Sequence, residues 1–284
     1  MKIAVLSGKG GTGKTTVSVC LASLLPNCQY IDCDVEEPNG AIFLKPVISD
    51  VIPVKVPVPI VDISKCNACG NCVNVCQFNA IALIKRKVLF FSEICHHCGA
   101  CSIICPTGAI SEEKRTVGVI EKNVEGTFLQ GKLNVGEPIS IPIILELKKQ
   151  IKNEMTTIID CSPGASCTVV QSIDGCDYCI LVTEPTPFGL HDLNIASQLV
   201  RKMGLPFGIV LNKASENNRL IHDFCKRENI DLLMEIPFLR SIAENYSKGI
   251  LPFTNNDLWK DKFIKLYKKI ERCVNNEANC FHKW

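Results

Sequence analysis

The sequence predicts an α/β protein: a doubly wound, mostly parallel sheet carrying a small inserted α+β module. Three observations predict it. Six short runs rich in Ile, Val and Leu have the composition of strands buried on both faces. Amphipathic helical patterns alternate with several of them, as doubly wound sheets require. Between the second and third runs the alternation stops, and a four-cysteine pattern appears twice, 29 residues apart.

The strand runs are "KIAVLS" (2–7), "QYIDCD" (29–34), "TTIIDCS" (156–162), "YCILVT" (178–183), "FGIVLNK" (207–213) and "DLLMEIP" (231–237). Helices are predicted over 14–25, 190–203, 217–228 and 257–272. The stretch "VPVPIVDISK" (56–65) is extended and punctuated by proline. After the cysteine repeat, "VGVIEKN" and "TFLQGKLNV" can pair as a hairpin that returns the chain to the sheet. The predicted organisation is therefore a first part of the main domain over 1–56, an insert over 57–115, and a second part over 116–284.

Composition narrows the function classes. The 284 residues are 46% hydrophobic, enough for a sizeable core. No apolar run approaches the roughly 18–20 residues that cross a bilayer, and the N-terminus lacks a signal-peptide layout. The expectation is a soluble, cytoplasmic protein. A net charge of +2 argues against nucleic acid as a partner. The 18 cysteines, without an export signal, point to metal or redox chemistry rather than disulfides.

"SGKGGTGKTT" follows the first strand and opens the first helix. Gly8-x4-Gly13-Lys14-Thr15 fits the phosphate-loop pattern in its proper context. Gly8, Gly10, Gly11 and Gly13 let backbone N–H groups of Lys9, Thr12 and Thr16 turn inward, and the helix N-terminus adds positive potential. Lys14 should reach the β- and γ-phosphates of ATP, and the Thr15 hydroxyl should ligate Mg²⁺. Asp160, ending "TTIID", would hold Mg²⁺ through water, and Asp34 in "DCDVEEPN" would position the attacking water. Asp32 is a weaker partner of that pair.

The repeated cysteines read C-x2-C-x2-C-x3-C twice, the pattern of bacterial ferredoxins. The fourth cysteine of each run ligates the other cluster. Cys66, Cys69, Cys72 and Cys105 should hold one [4Fe–4S] cluster, and Cys95, Cys98, Cys101 and Cys76 the other. Thiolates also suit zinc, but two interleaved four-cysteine runs argue for iron–sulfur. Gln77 stands where the second run has Pro106, which restores a backbone N–H near one cluster.

"KGGTGKTT", "DCDVEEPN" and "DCSPG" resemble the deviant-Walker ATPases of the MinD/ParA type, which include the nitrogenase iron protein. Together with the cysteine insert, nearly the whole chain resembles the members of that family that carry an inserted ferredoxin domain. The resemblance implies a homo- or heterodimer that ATP favours and hydrolysis releases. Lys9 would cross the interface to the partner's nucleotide, and Asn212 and Pro237 would lie against adenine. It implies ATP-linked low-potential electron transfer to a redox client, or, alternatively, a maturation factor or scaffold for metallocluster assembly.

Other residues favour plainer readings. Cys167, in the loop after Asp160, is read as a structural or solvent-side thiol ahead of a redox ligand. "CDYC" (176–179), Cys20, Cys28, Cys33 and Cys225 are read as core, and His96 and His97 as surface histidines. Trp259, Phe263, Leu266 and Ile270 share one helical face. That face is expected to pack on the sheet, leaving the lysines in solvent, rather than to bind a membrane.

Overall fold

A computed structural model of the chain describes residues 1–215, 218–251, 254 and 257–275. In chain order the elements are β1 (Lys2–Leu6), α1 (Lys14–Leu24), β2 (Cys28–Asp32), α2 (Gly40–Leu44) and β3 (Ile48–Val61). Next come α3 (Asn71–Val75), β4 (Ile81–Ile84), β5 (Lys87–Phe90), α4 (Ala100–Ile103), β6 (Ile110–Asn123) and β7 (Phe128–Leu133). The chain then alternates through α5 (Ile141–Lys148), β8 (Thr156–Asp160), α6 (Cys167–Ile173), β9 (Tyr178–Thr183), α7 (Pro187–Lys202) and β10 (Phe207–Ala214). It ends with α8 (Arg219–Arg227), β11 (Leu232–Pro237), α9 (Arg240–Ser247) and α10 (Asp257–Asn275). The helix expected over 217–228 is α8; its expected first residue, Asn217, lies outside the described residues.

Nine strands form one sheet in the order β11-β10-β9-β1-β8-β2-β7-β6-β3. From β11 to β7 every pairing is parallel; β6 runs antiparallel to β7 and to β3. The central strands are apolar on both faces because helices cover both. One face buries α5, α6, α7 and α8 through Ile143, Leu147, Val169, Leu193, Val200 and Phe224. The other buries α1, α2 and α10 through Val17, Leu21, Phe43, Trp259, Phe263 and Ile270. The apolar stripe of α10 thus faces the sheet, as expected. No helix among the described residues is long and apolar enough to cross a membrane.

The β6–β7 hairpin forms as the sequence suggested, pairing Gly118 with Leu133. The strand before the cysteines is longer than expected. β3 and β6 make a ribbon of 14 residues each, so positions 57 and 115 fall inside strands. Val54, Val56 and Val58 point inward. Pro53, Pro57 and Pro59 share the opposite parity, so the N–H groups they lack all face one edge. β3 is an edge strand and has that edge free.

Residues 62–109 hang from the end of this ribbon. They hold a two-stranded β4–β5 sheet, α3 and α4, and a small cluster of Cys72, Ile81 and Cys101 that closes on Ile110 at the start of β6. The sequence repeat is also a backbone repeat. Ala68 and His97, Gly70 and Gly99, and Asn79 and Gly108 each stand 29 apart, and all six have positive φ. Left-handed residues at matched positions bend the two halves in the same way.

Candidate functional site

The loop between β1 and α1 is shaped by close packing. A Cβ on Gly8 would lie 2.4 Å from the backbone oxygen of Asp192, and one on Gly13 would lie 2.1 Å from Asn212 Nδ2. Gly13 also has φ +93, and α1 starts directly after it. The end of β10 clasps the loop: Asn212 Nδ2 donates to Thr12 O at 2.8 Å, and Lys213 Nζ donates to Gly11 O at 2.9 Å. Gly10 and Gly11 open to space. The Thr12 hydroxyl is buried inside the loop with no partner among the described residues.

Behind the loop sit one buried lysine and three carboxylates. Lys14 Nζ lies 3.3 Å from Asp160 Oδ1 and 3.4 Å from Asp34 Oδ2. Burial pulls the Lys14 pKa down, but Asp160, Asp34 and Asp32 outweigh it and hold the ammonium above its ordinary range. Asp32 and Asp160 are register partners on β2 and β8. Burial, then the Asp160 charge, pushes the Asp32 pKa up to about 8. Burial also raises Asp34, against the pull of Lys14.

Asp32 is more central than the sequence suggested. Its carboxylate accepts backbone N–H bonds from Asp34 (3.1 Å), Asn39 (3.2 Å) and Gly40 (3.0 Å), so it shapes the segment that carries Asp34. The Tyr30 hydroxyl donates to Asp160 Oδ2 at 3.1 Å beneath it. Thr15 stands half-buried in the first turn of α1.

Lys9 does not turn toward this group. Its ammonium donates to Glu184 Oε1 at the end of β9, and Lys213 Nζ lies 3.1 Å from the other oxygen. Burial would raise the Glu184 pKa, but hydrogen bonds from Lys9 and Lys213 hold it below the ordinary range. Sequence reasoning missed Glu184. Its signal was a lone acid in "VTEPTP", immediately after a buried strand.

Beside the loop lies a largely apolar cavity of about 310 Å³. Gly13, Asn212, Pro237, Phe238, Tyr246 and Trp259 are among its walls. Asn212 and Pro237, distant in sequence, are thus brought to the same side of the loop.

The eight cysteines of the repeat divide between two cavities. Cys66, Cys69, Cys72 and Cys105 line one; Cys76, Cys95, Cys98 and Cys101 line the other. Each cavity therefore takes three thiols from one run and the fourth from the other. Among the described residues no three His, Cys, Asp or Glu side chains converge on a single-ion site. Burial pushes Cys72, Cys95 and Cys101 up. Cys105 is held below the usual thiol range: burial acts to raise it, but the Thr107 hydroxyl and the N–H groups of Thr107, Ala109 and Ile110 outweigh that.

His97 corrects an expectation. His96 is exposed and stacks on Phe78 with ring centroids 3.6 Å apart, but His97 is not a surface histidine. It lines the second cavity with Nδ1 buried and unpartnered among the described residues, and burial first, then the Arg115 charge, lowers its pKa against a hydrogen bond to Pro57 and the Glu137 charge. Among the other thiols, Cys20, Cys33, Cys161, Cys176, Cys179 and Cys225 are core, Cys28 is half-buried rather than core, and Cys167 is exposed at the start of α6.

This glycine loop at the mouth of a mostly parallel sheet, with a lysine held among strand-end carboxylates, defines a nucleotide-binding α/β protein. Residues 3–253 match the CobQ/CobB/MinD/ParA nucleotide binding domain, and the chain belongs to that family. It is 34% identical over 268 residues to the uncharacterized protein MJ0579 of Methanocaldococcus jannaschii, covering 91% of this chain and 93% of that one. It is 27% identical over 278 residues to a protein of Pyrococcus horikoshii named iron-sulfur cluster carrier protein, covering 88% and 78%. The septum site-determining protein MinD of Pyrococcus horikoshii, solved with Mg-ADP, shares the fold: TM-score 0.59 at 20% identity, with 98% and 99% covered.

Proposed function

We propose that this chain is a cytoplasmic, ATP-hydrolysing iron–sulfur protein whose nucleotide-driven dimer cycle is coupled to low-potential electron transfer. The observation that carries the reading is the sorting of eight cysteines, four and four, around two cavities in the interleaved sets of a two-cluster ferredoxin. Residues 57–115 form the ferredoxin insert, with Cys66, Cys69, Cys72 and Cys105 as ligands of one [4Fe–4S] cluster and Cys95, Cys98, Cys101 and Cys76 of the other. When bound, each cluster supplies a one-electron redox centre.

The rest is work for this chain's residues. Residues 8–16 wrap the phosphates, with Lys14 on the β- and γ-phosphates. Lys14 now balances Asp160 and Asp34; a triphosphate with Mg²⁺ would take over both sides of that arrangement. The Thr15 hydroxyl would ligate Mg²⁺, Asp160 would hold it through water, and Asp34 would position the attacking water. Asn212 and Pro237 wall the apolar cavity that seats the base. Lys9 leaves Glu184 and crosses to the second subunit's nucleotide, placing its positive charge against the negative charge on the transferring phosphoryl group.

A second reading, a maturation factor that builds or inserts metalloclusters in a client, is favoured by the relative named as an iron-sulfur cluster carrier. Complete four-thiol sets speak for retaining clusters rather than donating them. Anaerobic reconstitution followed by a client-reduction assay separates the two. Electron delivery that needs both hydrolysable ATP and reduced clusters supports the first. Delivery equally fast without nucleotide removes the coupling, and loss of iron from the chain to an apo client favours the second.

A further inference from the structure

We propose that the β4–β5 hairpin is a docking site that seats a carboxylate-rich redox protein at the rim of the first cysteine cavity, the one lined by Cys66, Cys69, Cys72 and Cys105. The inference rests on the cluster reading above and names the kind of client and where it sits. The hairpin closes through a two-residue turn: Ile84 pairs with Lys87, and Lys85 (φ 48) and Arg86 (φ 65) lie between them. Such a turn needs left-handed backbone at both positions, which Asn and Gly adopt most readily. Here two cations hold them and Lys87 adds a third, so the turn accepts strain while displaying charge. Residues 62–109 carry two carboxylates, Asp62 and Glu93. Asp62 is paired with Lys65, and Glu93 accepts from the Ser92 hydroxyl at 3.1 Å. Lys85, Arg86 and Lys87 are all exposed, and none is ion-paired with another described residue.

The tip of the hairpin stands over the first cavity, while its base, through Ile81 and Phe90, lines the second. Val88 lines the first cavity, and its cross-strand partner Leu83 would lie 3.8 Å from a Cβ on Gly70, which lines it too. Lys85 follows Leu83 by two residues, about 7 Å along a strand. Leu83, Ile84 and Leu89 are exposed beside the cations, and so is Cys69 within the cavity wall. The site therefore pairs an apolar floor with a charged rim, as protein interfaces do. The first cavity is also the outer one. Val61 and Ile110, the last pair of the ribbon, line it, whereas Pro59 and Glu112, one step nearer the sheet, line the second. Arg115 on β6 ties the second set to the main domain: Nη2 donates to Glu137 Oε2, in the loop after β7, at 2.8 Å and to the Ser92 carbonyl, three residues before Cys95, at 3.3 Å. Glu112 is exposed at the second cavity and would repel an acidic partner there. Charge thus steers a carboxylate-rich protein to the outer cavity. A bilayer is the weaker fit, because three cations fall short of the roughly four to eight that mark a lipid-binding segment.

The test is binding of two oxidised probe proteins, an acidic flavodoxin and a basic cytochrome c, to the full chain reconstituted anaerobically with iron and sulfide. Isothermal titration calorimetry at low and raised ionic strength reads it. The flavodoxin should bind at low salt and weaken as salt rises, and the cytochrome should not bind. Lys85→Asn combined with Arg86→Gly and Lys87→Gln removes the three charges yet suits the turn, so the hairpin stays folded. It should weaken flavodoxin binding by about tenfold. Lys226→Gln combined with Lys265→Gln and Lys268→Gln, on α8 and α10, lowers the net charge equally and should leave binding within about twofold of wild type. No flavodoxin binding, equal weakening by the two triple variants, indifference to salt, or a cytochrome bound as tightly would overturn the docking site while iron and sulfide stay in place. Pelleting with anionic liposomes that depends on Lys85, Arg86 and Lys87 would assign the hairpin to a lipid surface and overturn it as well. A reconstituted chain that retains no iron and sulfide would overturn the cluster reading and this inference with it.

Discussion

Asp32 and Asp160 face each other across β2 and β8 with one ammonium, Lys14, between the strands and the loop. Two fully buried carboxylates this close do not both ionise freely. Burial, then the Asp160 charge, pushes the Asp32 pKa up to about 8 against an unfolded value of 3.8. A carboxyl raised on folding binds its proton more tightly in the native state. Its contribution to stability is complete below pH 3.8 and is lost as pH rises through about 8. The nucleotide-free chain should therefore lose stability relative to Asp32→Asn between pH 5 and 8, no more steeply than about 1.4 kcal/mol per pH unit. Urea titrations at several pH values check this; a difference independent of pH would contradict it. The loop glycines make a second pair of expectations. Gly13→Ala meets both a positive φ and the Asn212 amide, and should destabilise by about 2 kcal/mol or more. Gly10→Ala meets nothing within 4 Å and should stay within about 0.5 kcal/mol of wild type in the same denaturation measurement.

The elements show why part of the molecule was readable and part was not. β1, β8 and β9 are buried on both faces, so their apolar runs stand out without any alternation. The two four-cysteine runs were readable because their spacing is local; their sorting around two cavities needed three dimensions. β3 was half-read. Its inward valines alternate with prolines and a lysine, and its first residues pair with β6 about 70 positions away, which no local pattern announces. α5 and α6 are only 8 and 7 residues long, too short for a periodic signal. Glu184 and Arg115 went unnoticed for a related reason: each is a lone charge whose meaning lies in a partner far along the chain. α10 is the opposite case, since its stripe was plain and its target was the question. Phe263 is 2% exposed against the sheet, so Phe263→Ala should cost about 3–5 kcal/mol. Wild-type protein should stay in the supernatant with anionic liposomes in the presence of ATP. Pelleting that depends on Trp259 and Phe263 would mean that this face leaves the sheet.

At the scale of the whole molecule, Lys9 is the residue whose proposed work lies outside its own chain. In the single chain it is held by Glu184, which also holds Lys213, and Lys213 in turn grips the Gly11 carbonyl. A lysine that must reach a second subunit has to break this contact first. The pair is half-exposed, so each break costs only about 0.5–1 kcal/mol, and a symmetric dimer breaks two. Removing the charge on Glu184 should lower that cost while leaving Lys9 free to cross. Glu184→Gln, placed in an Asp34→Ala background to slow hydrolysis, should therefore tighten ATP-dependent dimerisation by about fivefold to thirtyfold. Lys9→Ala should abolish dimerisation, and raised salt should shrink the Glu184→Gln effect because the contact it removes is screened. Sedimentation velocity with and without ATP reads all three. Dimers of Glu184→Gln that are no tighter than the parent would show that the cis contact does not restrain Lys9. Dimers that ignore ATP would show that nucleotide is not what draws Lys9 across.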